Sequence, residues 1–158
     1  MTRLHTILIG MLLCLTLWVS PASAALQNHS HADLKGQDFS STNLVGGVFL
    51  SAEMHDVNFS NTDLTGAIFT KGVLLRANLQ GADLTNALVD QATLDEADLT
   101  NAIFVGATMT RTRFFKAKVT GADFTDALID RSQVKLLCSV AEGKNPRTGV
   151  DTKESLGC

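Results

Sequence analysis

Ala82-Asp83-Leu84-Thr85-Asn86 returns three units later as Ala97-Asp98-Leu99-Thr100-Asn101, and again as Ala122-Asp123-Phe124-Thr125-Asp126. Reading outward from these phrases at every fifth residue, from Leu34 to Val134, gives twenty-one large apolar residues without a slip of phase. Two residues before them runs a second series of mostly small side chains, including Ala52, Ala67, Ala77, Ala87, Ala92, Ala102, Ala107, Ala117 and Ala127. Neither regular period fits, because a helix repeats every 3.6 residues and a strand every 2. A spacing of five suits a chain that turns a corner once per unit. One large and one small side chain then point inward, and three positions face solvent.

The phrase Ala-Asp-Leu-Thr closely resembles the unit of the pentapeptide-repeat family, and the resemblance covers Ala32 to Leu136. It implies an all-β fold, a right-handed quadrilateral β-helix with four units per coil. About five coils, stacked at the strand spacing of ~4.8 Å, make a rod of roughly 25 Å. Residues twenty apart should then be neighbours. Asp56, Arg76, Glu96 and Lys116 alternate in sign down one such column, as stacked rungs should. Gly46, Gly66, Asn86 and Gly106 form a second column, and Asn61, Gly81, Asn101 and Gly121 a third. Both suit tight corners.

The N-terminus reads as an export signal, residues 1–24. Arg3 supplies positive charge, Ile7 to Val19 is an apolar run too short for an ordinary spanning helix, and Ala22-Ser23-Ala24 has the small-x-small pattern. The expected cut lies between Ala24 and Ala25, and it removes Cys14. A single arginine before the run argues against a twin-arginine signal. After cleavage twelve bases face sixteen acids, and no stable membrane anchor is left. Residues 25–31 are expected as a weak N-terminal cap, 32–136 as the repeat and 137–158 as a C-terminal cap. The two remaining cysteines, Cys138 and Cys158, are the expected form of a disulfide in an exported chain. Such a bridge contributes roughly 3 kcal/mol by the chain-entropy estimate. Leu137-Cys138, Gly143, Asn145-Pro146, Thr148-Gly149 and Ser155-Leu156-Gly157-Cys158 look like the ending of thylakoid-lumen pentapeptide-repeat proteins of cyanobacteria and chloroplasts. That resemblance implies a lumenal or periplasmic address, and it brings no biochemical activity.

Chemistry is sparse. His29, His31 and His55 lack the partners of a zinc site. The aspartates Asp33, Asp38, Asp63, Asp83, Asp98 and Asp123 recur in phase with the repeat, which explains them without calcium. No nucleophile elbow or phosphate loop is present. The expectation is therefore no enzyme, no cofactor, no metal and no nucleic-acid partner. One column stands out. Val48, Ile68, Leu88, Thr108 and Leu128 sit where the repeat normally carries Asp or Asn, and Leu50 lies beside them. If exposed, this stripe is a candidate docking seam for a partner protein or a second copy; a covering tail would make it inert. Arg111, Arg113, Lys116 and Lys118, near Arg131, form a basic patch that suits an acidic partner, membrane headgroups or plain solvation. The leading expectation is a non-enzymatic interaction or scaffold protein of the lumen or periplasm. The alternatives are a DNA-mimicking inhibitor, which export disfavours, and an ion-binding accessory factor.

Overall fold

The computed structural model describes residues 27–158. The signal segment, the Ala24–Ala25 cut and Cys14 lie outside those residues. Among the described residues no helix is long and apolar enough to cross a membrane.

A count of backbone N–H groups explains the unit. The large residue and the second corner residue donate to the coil that follows, as from Leu34 to the Glu53 carbonyl at 2.8 Å and from Gly36 to that of His55 at 2.9 Å. The outward residue donates to the coil before, as from Glu53 to Ala32 at 2.9 Å. The small residue closes the corner, as from Gln37 to Leu34 at 3.1 Å. One N–H of the five remains, that of the first corner residue. Where the outward residue is Asp or Asn, its side chain accepts that bond. Asp83 Oδ1 takes the Thr85 N–H at 3.1 Å and the Thr85 hydroxyl at 2.6 Å, and Asp123 and Asp63 treat Thr125 and Thr65 alike. The Ala-Asp-Leu-Thr phrase is thus a complete hydrogen-bonding unit.

The parallel bridges join residues twenty apart, from Asn28–Val48 to Ile103–Asp123. Among the described residues only β1 (Thr108–Met109) and β2 (Leu128–Ile129) count as strands, with Thr108 on Leu128. Elsewhere the corners leave a single bridged residue per face. Every fifth residue from His31 to Asp126 has positive φ, as at Lys71 (60°), Gln91 (59°) and Gly81 (64°). Asn or Gly carries this conformation most easily. The two stack in alternation: a Cβ built on Gly81 would lie 2.6 Å from Asn61 Oδ1, and one on Gly106 2.6 Å from Asn86 Oδ1. The Asn/Gly columns seen in the sequence are this contact repeated.

The core is one continuous ladder. Phe49 stacks on Phe69 with centroids 4.8 Å apart, Phe39 on Phe59 at 5.3 Å and Phe104 on Phe124 at 5.2 Å. Alanines fill the small inward positions. At two of these positions, Thr62 and Thr112, the buried hydroxyls donate to the Phe39 and Val89 carbonyls at 2.8 and 2.6 Å.

Both expected boundaries shift. The repeat does not wait for Ala32: Asn28 bridges Val48, and His29 stacks on Phe49 at 5.3 Å, so residues 28–31 are coil rather than cap. At the other end the chain leaves the repeat at Asp130 and forms α1 (Arg131–Cys138), so Val134 is helical rather than the twenty-first rung. Val134, Leu137 and Cys138 are spaced for a helix as well as for the repeat, and the corner position after Val134 holds Leu136, a poor residue for positive φ. The departure also serves the last coil, whose downward N–H groups have no coil beneath them. Asp130 accepts from Arg111 at 2.6 Å, Gln133 Oε1 from Phe114 at 3.3 Å and Ser155 Oγ from Phe124 at 3.0 Å. The Glu142 carbonyl accepts from Gly121 at 2.8 Å. A short α2 (Thr152–Leu156), capped by Asp151, ends the chain, and Cys138 and Cys158 are disulfide-bonded with Cα atoms 5.7 Å apart.

Candidate interaction faces

The stripe residues form one vertical column, joined bridge by bridge from Val48 to Leu128. Leu88 is 42 % exposed and Leu128 60 %, while Val48, Ile68 and Thr108 are half-buried. Val45, at 47 %, extends the apolar surface at the corner. An aliphatic side chain cannot accept the first-corner N–H as Asp does. The column therefore gives up a hydrogen bond worth about 1 kcal/mol at each such rung. Nothing in the repeat's own geometry requires that loss.

The tail does not cover this stripe. It crosses the neighbouring face, the column of Asp63, Asp83, Ile103 and Asp123. Asn145 is buried there, and its amide nitrogen donates to the carbonyls of Asn101 at 3.1 Å, Ala102 at 3.4 Å and Gly121 at 2.9 Å. Its carbonyl oxygen accepts from the N–H groups of Arg147 and Thr148. Arg147 reaches one coil further, to the Gly81 carbonyl at 3.2 Å and Asp83 at 2.8 Å. Ile103, beneath this arm, is 4 % exposed. Sequence reasoning passed over Ile103, although it is the one apolar residue in an otherwise Asp/Asn column. Between Pro146–Arg147 and the Asn61–Gly81–Asn101 corner lies a polar groove of about 550 Å³.

Several of the charged groups are engaged in structure. Burial opposes the charge of Asp123, but hydrogen bonds from Thr125 and Thr148 prevail and hold its carboxyl below the usual range. Asp98 balances burial against Thr100 and Lys118 with the same outcome. A hydrogen bond from Thr70 lowers Asp90. In the alternating column Arg76 grips Asp56 through two bonds, at 2.7 and 2.8 Å. His55 meets Glu53 at 2.9 Å, and His29 belongs to the core stack. Among the described residues no group of three or more His, Cys, Asp or Glu converges. Within the basic patch, Arg113 pairs with the buried Asp95 and Lys118 with Asp98 at 3.2 Å, while Lys116 lies over the Phe115 ring at 5.3 Å.

The family model described as pentapeptide repeats matches eight copies, over residues 32–70, 52–91, 77–114 and 92–129. Among solved structures, a pentapeptide-repeat protein from the thylakoid lumen of Arabidopsis thaliana is 39 % identical, with a TM-score of 0.81 over 82 % of this chain and 90 % of that one. A pentapeptide-repeat protein from Nostoc is 22 % identical, with a TM-score of 0.56 over 66 % and 85 %. A trypsin-treated form of QnrB1, a plasmid-mediated fluoroquinolone resistance protein, is 18 % identical, with a TM-score of 0.52 over 78 % and 72 %; this shows the fold alone. No curated protein matches the chain.

Proposed function

The chain belongs to the pentapeptide-repeat family, and from that premise we propose that it is a non-enzymatic, exported interaction module of the thylakoid lumen or periplasm. Its docking face is the column from Val48 to Leu128. The observation that carries this reading is the contrast between two apolar departures from the repeat. Ile103 lies under the chain's own tail, whereas Ile68, Leu88 and Leu128 face outward and forgo a hydrogen bond. A rigid β-helix presents such a column at ~4.8 Å intervals without ordering cost on binding. The address rests on the apolar N-terminal segment and on the likeness to the lumenal Arabidopsis protein.

The test is the pair Ile68→Asp and Leu88→Asp, made together. Affinity capture from a lumenal or periplasmic fraction, and sedimentation of the purified protein, should both lose the association seen with the unmodified chain. The far-UV circular dichroism should be unchanged. Retention of every captured species and of the sedimentation profile sinks the seam. Export is checked separately by N-terminal sequencing, which should begin at Ala25; cytosolic recovery of the uncut chain defeats the address.

A further inference from the structure

The molecule is electrically divided along its axis. Residues 27–110 carry ten acids against three bases, whereas residues 111–135 carry six bases against three acids. The cations therefore gather on the last coil and on α1 beneath it. At the corner of that coil stands Phe115, 55 % exposed and the only exposed phenylalanine among the described residues. The same corner position holds a half-buried Leu75 and the buried Asp95 in the two coils above. Lys116 lies over the ring. Gln133 ties α1 to Phe114, next in the chain, and the exposed Arg131 and Lys135 are one helical turn apart on that helix, with Leu136 beside them 37 % exposed. Asp95 and Asp98 partly neutralise Arg113 and Lys118, while Glu96 stands one coil above Lys116. Arg111, Lys116, Arg131 and Lys135 form no ion pair among the described residues.

We propose that this corner docks reversibly on an anionic lipid bilayer, with Phe115 entering the headgroup region and Lys116, Arg111, Arg131 and Lys135 meeting anionic headgroups. An exposed aromatic ring with Lys116 over it, and further cations on the next corner and on the helix beneath, is the chemistry of interfacial binding: the ring takes the boundary between water and acyl chain, and the cations answer the surface potential. Phe115 stands at a turn of the coil and is more than half exposed. A soft interface closes around a protruding side chain, whereas an acidic protein would need a pocket shaped to receive it. The acidic upper coils are repelled by the same surface and would orient the rod with its C-terminal end towards the membrane.

The experiment is vesicle flotation with the purified protein. One set of vesicles contains about a third phosphatidylglycerol in phosphatidylcholine, and the other phosphatidylcholine alone. Binding to the anionic set should exceed binding to the neutral set by about tenfold or more at low salt, and should collapse near 0.5 M salt. Phe115→Ala with Lys116→Glu should remove the difference. Both changes are mild for the fold, since Phe115 is exposed and Glu96 already holds the same corner conformation one coil away. Leu88→Asp, on the stripe, should leave lipid binding untouched, which separates this test from that of the docking seam. Equal binding to both vesicle sets, or binding indifferent to the corner variant, overturns the proposal. So does capture of soluble polyglutamate at the corner without vesicle binding, which would assign the patch to an acidic protein instead.

Discussion

Two faces of this solenoid break the repeat in the same way and meet different fates. On the face of Ile103 the missing Asp is replaced by a buried isoleucine, and the C-terminal arm lies across it, anchored by Asn145 and Arg147. On the face of Leu88 the apolar column is longer, and its members are half-buried or exposed with no segment of the tail across them. On the Ile103 face, where every other outward position is Asp or Asn, the apolar departure lies where another segment of the chain sits. The stripe has the same mark and no occupant from within the described chain.

The contrast is broken most severely at Asn145. Asn145→Ala leaves three backbone carbonyls under the arm without their donor and removes the acceptor for two N–H groups. We expect a loss of roughly 2–3 kcal/mol in urea unfolding. Hydrogen exchange should rise across residues 143–151 and leave the coils above Gly81 unchanged. Uniform exchange along the whole chain would mean that the arm is not a separate cover.

A matched pair of substitutions sharpens the comparison. Ile103→Asn should destabilise by about 1–2 kcal/mol, because the aliphatic burial beneath the arm is lost and only one hydrogen bond is regained. Leu88→Asn should be neutral or stabilising by roughly 0.5 kcal/mol, because the new amide oxygen can accept the Asp90 N–H and Leu88, 42 % exposed, gives up far less burial than Ile103. The same change thus carries opposite signs on the two faces. Equal thermal shifts would show that the Leu88 column is packed rather than free.

The smallest effect is acid sensitivity. The folded carboxyls of Asp98 and Asp123 lie below the ordinary aspartate value of 3.8. Their contribution is therefore complete above about pH 4 and disappears as the pH falls through their depressed folded values. Asp123→Asn should flatten that acid limb, read from the midpoint of thermal unfolding between pH 5 and pH 2, because Asp123 supports Thr125 and lies beneath the arm. No change in slope would remove Asp123 from the linkage.

Much of this architecture was legible in the chain. The run from Leu34 to Ile129 placed the core rungs from the second onward, and the twenty-residue columns matched the bridges. The Asn61–Gly81 and Asn86–Gly106 alternations were visible before their contact was known. The ends were less legible. Val134 satisfies both a period of five and a helix, so periodicity could not show that the chain turns at Asp130. His29 is in phase, but an imidazole does not look like a core residue until it stacks on Phe49. Phe115 was hidden beside Phe114, one residue out of register with the ladder.

The period of five determined the corner after every unit, because that is how this chain buries one large and one small side chain per five residues; four units to the coil is what the family resemblance implied and the bridges between residues twenty apart display. The period also determined which positions face outward, and hence where the apolar exceptions fall. Which exception is covered was decided only in three dimensions. The arm is held by an Asn145 amide on carbonyls 44 and 24 residues away and by Arg147 on Asp83, 64 residues away. Backbone carbonyls belong to every residue alike, so the acceptors themselves carry no signal, and Ile103 is the one mark in the sequence of that face. The direction in which α1 and the disulfide send the chain chooses the Ile103 face and leaves the Leu88 face bare.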